Sequence, residues 1–222
     1  MLTSYNIKLP RAVYGGENAI ENLTAILKAS RAQTVAVFTS IAVESAGLLA
    51  PVAEAIRAAG ASCYVLDDVP AEPSYTEVQR IADQFKRKGA DILVACGGGS
   101  VMDTAKLAGV LLTGEYGVKE LLKEPGRAKK CVPTVMIPTT AGTGAEVTPN
   151  AIVAVPEKEL KVGIVNEHMV ADYVILDPRM VKNLPKSIAA ATGLDALAHC
   201  IECFTATRPT PLATCTRWKG WI

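Results

Sequence analysis

Two loops in this chain bring together residue types suited to holding a phosphorylated small molecule. Gly97-Gly98-Gly99-Ser100 follows an apolar run at 92–96 and opens a helical pattern. Glycines placed there let backbone N–H groups approach a phosphate at a helix N-terminus, so a pyrophosphate fits. The same four residues also serve as a plain strand-to-helix turn. Asp103, three residues past Ser100, is equally explained by charge-matching the first helical turn. Farther on, residues 138–148 carry Thr139, Thr140, Thr143 and Thr148 with Gly142 and Gly144, and Glu146 as the only charge. Such a loop can wrap a polar ligand, or its hydroxyls can bond their own backbone. Two glycine-rich loops at strand ends favour the ligand, because open parallel sheets bind at the carboxyl ends of their strands.

A third constellation could hold a metal. Asp195 and His199 are four apart on a predicted helix, so both project from one face about one turn apart. Two metal ligands and a simple ion pair both need that geometry, and the spacing does not choose between them. Cys200 and Cys203 form C-x-x-C beside His199. No second such pair exists, and a c-type haem site would place the histidine after the second cysteine, so structural packing is expected for both. His168 lies in a loop with no partner at ligand spacing and is expected to be exposed.

These residues need a scaffold, and the pattern supplies one. Short β-branched runs alternate with helical patterns: 34–38 then 48–59, 62–66 then 76–88, 91–96 then 101–112. That alternation implies a parallel sheet wrapped by helices, an α/β fold. The helix from Thr76 spaces Val78, Ile81, Ala82 and Phe85 three or four apart between charges and stops at Gly89. Further strands are expected at 132–137, 151–155 and 174–176. After Pro185 the composition turns Ala-rich and helical with no strand signal, which places a boundary near Leu184 and divides the chain into 1–184 and 185–222.

Composition narrows the classes. At a soft prior of about 150 residues per domain, 222 residues give one full domain and part of a second. Half the residues are hydrophobic and 20% charged, which excludes disordered and low-complexity chains. Lys plus Arg at 23 against Asp plus Glu at 22 leaves +1 without charged blocks, so no footprint for nucleic acid or a membrane surface appears. Residues 1–10 lack the charged head and apolar run of a signal peptide, and no apolar stretch reaches a membrane span. A cytoplasmic chain with six reduced cysteines is the expectation.

Three blocks together resemble the iron-containing (group III) alcohol dehydrogenases. They are Gly97-Gly98-Gly99-Ser100-Val101-Met102-Asp103-Thr104-Ala105-Lys106, Pro138-Thr139-Thr140-Ala141-Gly142-Thr143-Gly144-Ala145-Glu146 and Gly193-Leu194-Asp195-Ala196-Leu197-Ala198-His199-Cys200-Ile201-Glu202. The likeness runs from about Tyr14 to Leu212. It implies a dehydroquinate synthase-like architecture: an α/β dinucleotide-binding domain, then an all-helical domain, with NAD(P) and a divalent metal, usually iron, between them. It implies hydride transfer between NAD(P) and a small primary alcohol or aldehyde, with the metal polarising the substrate oxygen. Gly97 to Ser100 would hold the pyrophosphate and Asp103 would help hold that loop. Thr139, Thr140, Thr143 and Thr148 would lie along the ribose and nicotinamide, with Lys161 near the nicotinamide ribose or simply a solvated strand lysine. Asp195 and His199 match the first two metal ligands.

Departures from the family pattern bear on function. Residues 35–38 run into Thr39-Ser40, where NAD-preferring members carry Asp at the second position; Ser40 removes the carboxylate that would repel a 2′-phosphate, so NADP joins NAD as a candidate. Glu72 stands where an Asn is common. The family completes its metal site with two further histidines, whereas this chain contains only His168 and His199. From about 213 the likeness and the periodicity both stop, and the segment reads as a truncation with an unrelated tail of the kind a frameshift leaves. The resulting expectation is an oxidoreductase by descent with little turnover of its own. The alternatives are a nucleotide-binding remnant, a zinc-dependent glycerol-dehydrogenase-like enzyme, and an interaction protein that associates, as a homo-oligomer for example, through Leu194, Leu197, Ile201 and Phe204.

Overall fold

The structure, a computed structural model, describes residues 6–205. Pro211, Leu212, Cys215, both tryptophans and the tail expected from about 213 lie outside the described residues. In chain order the elements are β1 (Ala12–Gly15), α1 (Asn22–Ala29), β2 (Thr34–Phe38), α2 (Ile41–Ser45), α3 (Ala50–Ala59), β3 (Ser62–Leu66), α4 (Tyr75–Lys88), β4 (Ile92–Gly97), α5 (Gly99–Leu111), α6 (Val118–Leu121), β5 (Thr134–Pro138), β6 (Asn150–Val155), β7 (Leu160–Val165), β8 (Tyr173–Leu176) and α7 (Lys186–Thr205).

Six strands form one sheet in the order β1-β8-β5-β4-β2-β3, and every pairing in it is parallel. Side chains alternate between its faces with the two-residue period of a strand. Val35, Val37, Ile92, Val94 and Cys96 pack with Leu23 and Leu27 of α1 and Val52 and Ile56 of α3. Ala36, Phe38, Leu93 and Ala95 pack the opposite way, against α4 and α5, where Phe38 and Phe85 meet edge to face at 5.6 Å. Burial on both faces is why β4 reads as an unbroken apolar run and not an alternating one. The expected α/β class with a helix-wrapped parallel sheet is what the chain adopts.

Two helices show how local sequence sets the frame. Ser74 and Glu77 cap α4 reciprocally: the Ser74 amide donates to Glu77 Oε2 at 2.8 Å and the Glu77 amide donates to Ser74 Oγ at 3.3 Å. Helix α5, by contrast, is buried at every position from Val101 to Leu111. A helix enclosed on all sides cannot shift without disturbing the core, which fixes the position of its N-terminus.

The strand expected at 151–155 forms, yet it does not join the sheet. As β6 it pairs antiparallel with β7 in a separate two-stranded hairpin. Only the short turn Pro156–Lys158 and Glu159 (φ 52°) connect them. So short a connection serves an antiparallel pair, whereas a parallel neighbour needs a crossover of a dozen or more residues. Helix α7 follows Pro185 and has no buried residue; Leu194, Leu197 and Ile201 on it are 67%, 44% and 43% exposed. Among the described residues no helix is long and apolar enough to cross a membrane.

Candidate functional site

The sheet reverses direction of growth at β2. Strand β3 lies to one side of it, and β4 with the rest lies to the other. Chains leaving β2 and β4 therefore diverge, and the crevice this leaves at their carboxyl ends is where open α/β sheets bind ligands. A cleft of about 760 Å³ occupies that position. Its walls are Ser40 and Ile41 after β2, residues 67–71 after β3, 98–101 at the β4–α5 junction, Thr139 and Thr140 after β5, and Leu184, Pro185 and Ile188 around the start of α7. Among the described residues, the only charged ones lining it are Asp67 and Asp68.

The glycine loop needs space more than handedness, because none of Gly97, Gly98 and Gly99 has a positive φ. A Cβ on Gly97 would stand 2.6 Å from the Val101 side chain, and one on Gly99 would stand 3.2 Å from Thr143. Gly98 occupies the N-cap of α5, and no side chain caps that helix. Its first amides, which have no partner inside the helix, therefore open toward the cleft among Gly98, Gly99 and Ser100. Ser100 Oγ accepts from the Glu72 amide at 3.1 Å, and Glu72 Oε1 accepts from Lys161 Nζ at 2.6 Å. Lys161 thus reaches the glycine loop through an exposed ion pair with Glu72 and does not itself line the cleft.

The threonines divide into two pairs. Thr139 and Thr140 line the cleft, and the Thr139 amide donates to Gly97 O at 3.0 Å, joining the two loops. Thr143 Oγ1 accepts from the Ala145 amide, and Thr148 Oγ1 accepts from Lys106 Nζ and donates to Ala145 O, so these two hydroxyls are bonded within the protein. Asp103 does not serve the first turn of α5. Its Oδ1 takes Lys106 Nζ at 3.0 Å and its Oδ2 takes the Ile152 amide at 3.0 Å, which ties α5 to β6. Burial pushes the Asp103 carboxyl up and the Lys106 ammonium down, and the opposite charge of each partner works against that shift.

Asp195 Oδ1 and His199 Nε2 stand 3.7 Å apart on α7, about half exposed, and neither lines the cleft. Among the described residues no group of three or more His, Cys, Asp or Glu side chains gathers where it could hold a metal ion. His168 is exposed, as its loop context suggests. Of the C-x-x-C pair, Cys203 is exposed and Cys200 half-buried. Among the described residues Cys96 is fully buried in the core, and burial pushes its thiol up to about 12.

Sequence reasoning passed over Lys106, Asp67 and Asp68. A lysine inside a helical pattern reads as solvent-facing, and only the enclosure of α5 reveals otherwise. Asp67-Asp68 reads as a polar turn after a strand. A cleft-facing role becomes visible only once Ser40 and Asp68 form an isolated antiparallel bridge across adjacent loops.

A family model described as iron-containing alcohol dehydrogenase matches residues 10–178. The chain is 33% identical over 202 residues to a sulfoacetaldehyde reductase of Bilophila wadsworthia, covering 91% of this chain and 52% of that protein. It is 33% identical over 207 residues to an NAD-dependent methanol dehydrogenase of Bacillus methanolicus, covering 93% and 54%. A crystal structure of an iron-containing alcohol dehydrogenase from Thermotoga maritima superposes with a TM-score of 0.88 at 30% identity, covering 97% of this chain and 59% of that one. The chain spans about half the length of the curated relatives it matches.

Proposed function

Because the chain belongs to the iron-containing alcohol dehydrogenase family, we propose that residues 1–184 are the nucleotide-binding part of an oxidoreductase acting on a small primary alcohol or aldehyde in the cytoplasm. Residues 185–222 then begin a helical domain. The observation that carries this reading is the cleft at the reversal of strand order, with the uncapped N-terminus of α5 opening into it.

The residues present fit a dinucleotide. Gly98, Gly99 and Ser100 offer backbone donors to a pyrophosphate with no side chain in the way, and the buried body of α5 holds those donors fixed. Ser40 and residues 67–71 form the wall for one nucleoside, and Thr139 and Thr140 stand on the side toward α7 for the other. NAD or NADP bound there supplies the hydride-transfer chemistry, which the protein's own side chains cannot. The apolar Leu184, Pro185 and Ile188 restrict water at the α7 side.

Iron, or zinc in its place, is a different matter. Asp195 and His199 would contribute two donors, and the described residues bring no third to them. We therefore read the 222-residue polypeptide as a dinucleotide binder that does not turn over an alcohol by itself. Titrating NADH and NADPH fluorescence, with iron content and alcohol oxidation followed on the same sample, tests this. Saturable nucleotide binding with sub-stoichiometric iron and no turnover is expected. Turnover with one iron per chain overturns the account of the metal donors, and absence of nucleotide binding overturns the function.

A further inference from the structure

Resting on the dinucleotide reading above, we propose that Asp68 selects NAD(H) over NADP(H), supplying from the end of β3 the carboxylate that the end of β2 lacks. In open α/β nucleotide sites an acidic residue near the adenosine ribose accepts its 2′-hydroxyl, while a basic residue accommodates a 2′-phosphate. The end of β2 here is Thr39-Ser40, without a carboxylate. The antiparallel bridge between Ser40 and Asp68 sets the two backbones side by side, and both residues line the cleft. The acid is thus transferred to the neighbouring strand and still stands at the ribose wall.

Two properties of Asp68 fit it for a ribose hydroxyl. Its Oδ2 is held by Arg80 Nη1 and Gln84 Nε2, which anchors the carboxylate. Its Oδ1 is buried and has no hydrogen-bond partner. A buried carboxylate oxygen without a donor is costly, and a small rotation about the terminal torsion, which is soft in aspartate, lets an arriving hydroxyl donate to it. A hydroxyl can donate, whereas a phosphate ester at physiological pH brings acceptors and negative charge.

The electrostatics act in the same direction. Among the described residues Asp67 and Asp68 are the charged ones on the cleft wall, and no described lysine or arginine lines it. The Arg80 guanidinium is committed to Asp68. A 2′-phosphate placed there meets two carboxylates and one neutralised cation, and like charges at that separation disfavour binding.

The test is a fluorescence titration of the whole 222-residue chain with NADH and NADPH at fixed ionic strength, for the unsubstituted protein, Asp68→Asn, and Asp68→Asn combined with Ser40→Asp. The unsubstituted chain should bind NADH at least about tenfold more tightly than NADPH, the discrimination expected of one hydrogen bond to a charged group. Asp68→Asn should erase that ratio or invert it, because Arg80 is released toward the phosphate. Ser40→Asp in the same background should restore the preference for NADH, which a merely structural role for Asp68 would not produce. Equal binding of both nucleotides by the unsubstituted chain, or an unchanged ratio in Asp68→Asn, overturns the proposal and leaves the cofactor site standing. Binding of neither by the unsubstituted chain overturns the cofactor site as well. A circular-dichroism melt of each variant identifies any that fails to fold, and the ratio in the unsubstituted chain then decides alone.

Discussion

Asp103 and Lys106, one turn apart on α5, form an ion pair in which the lysine side chain has no solvent exposure. Each of the three ammonium protons has an acceptor: Asp103 Oδ1 at 3.0 Å, Thr148 Oγ1 at 3.2 Å and Asn150 O at 2.8 Å. The pair fastens the helix whose N-terminus faces the cleft to the loop and hairpin beyond it.

Removing one member therefore strands the other. Lys106→Met should cost about 3–5 kcal/mol, the usual penalty for leaving a buried charge uncompensated. Urea unfolding measures it. The double variant Asp103→Leu, Lys106→Met should regain much of that loss, since a buried pair contributes little net over apolar residues of similar volume. A double variant no more stable than the single one would show that packing at Lys106, and not charge, is what matters.

Gly97 is the sharpest steric constraint on the glycine loop. A Cβ there would come within 2.6 Å of the β-branched side chain of Val101, which cannot swing away as a long side chain would. Gly97→Ala should shift the start of α5 and weaken dinucleotide binding by at least about tenfold, an effect the size of one lost hydrogen bond to an anion. Gly126→Ala is the control, because nothing lies within 4 Å of its would-be Cβ and its φ is not positive. Equal affinities for the two variants would remove the loop from the binding account.

Much of this was legible locally, and what was not depended on distant partners. The run at 92–96 and its glycines announce β4 and the turn into α5 through composition alone. Strand β1 is only four residues long, and its identity rests on pairing with β8, from Ala12 with Tyr173 to Gly15 with Leu176. No window around Ala12 contains that information. Asp195 and His199 have the right helical spacing, but whether they are half of a metal site depends on donors elsewhere. Asp103 shows the opposite failure: a simple local explanation existed, and tertiary enclosure of α5 gave the residue another task.

Acid lability follows from Asp177. Its carboxylate accepts from the Ile20 amide, the Arg179 amide and both Nε and Nη2 of Arg179. The hydrogen bonds from the Arg179 side chain, foremost, hold its pKa below the ordinary 3.8. Stability from a depressed carboxylate is fully present above the unfolded value and is lost as pH falls through the folded one. Melting temperature should accordingly drop steeply below about pH 4. Asp177→Asn should flatten that drop while lowering stability at neutral pH by about 1–3 kcal/mol.

Helix α7 meets the threonine loop at one tight point. A Cβ on Gly142 would lie 2.4 Å from the Thr192 carbonyl oxygen, a backbone atom. Gly142→Ala should displace α7, and limited proteolysis should then cut after Lys186 or near it sooner than in the unsubstituted chain, with the sheet resistant in both. Identical cleavage rates would mean the helix is held by contacts other than this one.

The place of β1 at the sheet edge beside β8 also shapes how the polypeptide is made. A ribosome delivers β1 well before its partner, so this early segment waits through the synthesis of some 160 residues before its ladder exists. Strands β2, β3 and β4 can associate meanwhile through shorter loops, which close at lower entropic cost. Until Tyr173 emerges, β5 keeps an open edge on the side that β8 will cover, and such an edge invites a neighbouring nascent chain. The last strand of this sheet is therefore what withdraws the growing protein from aggregation.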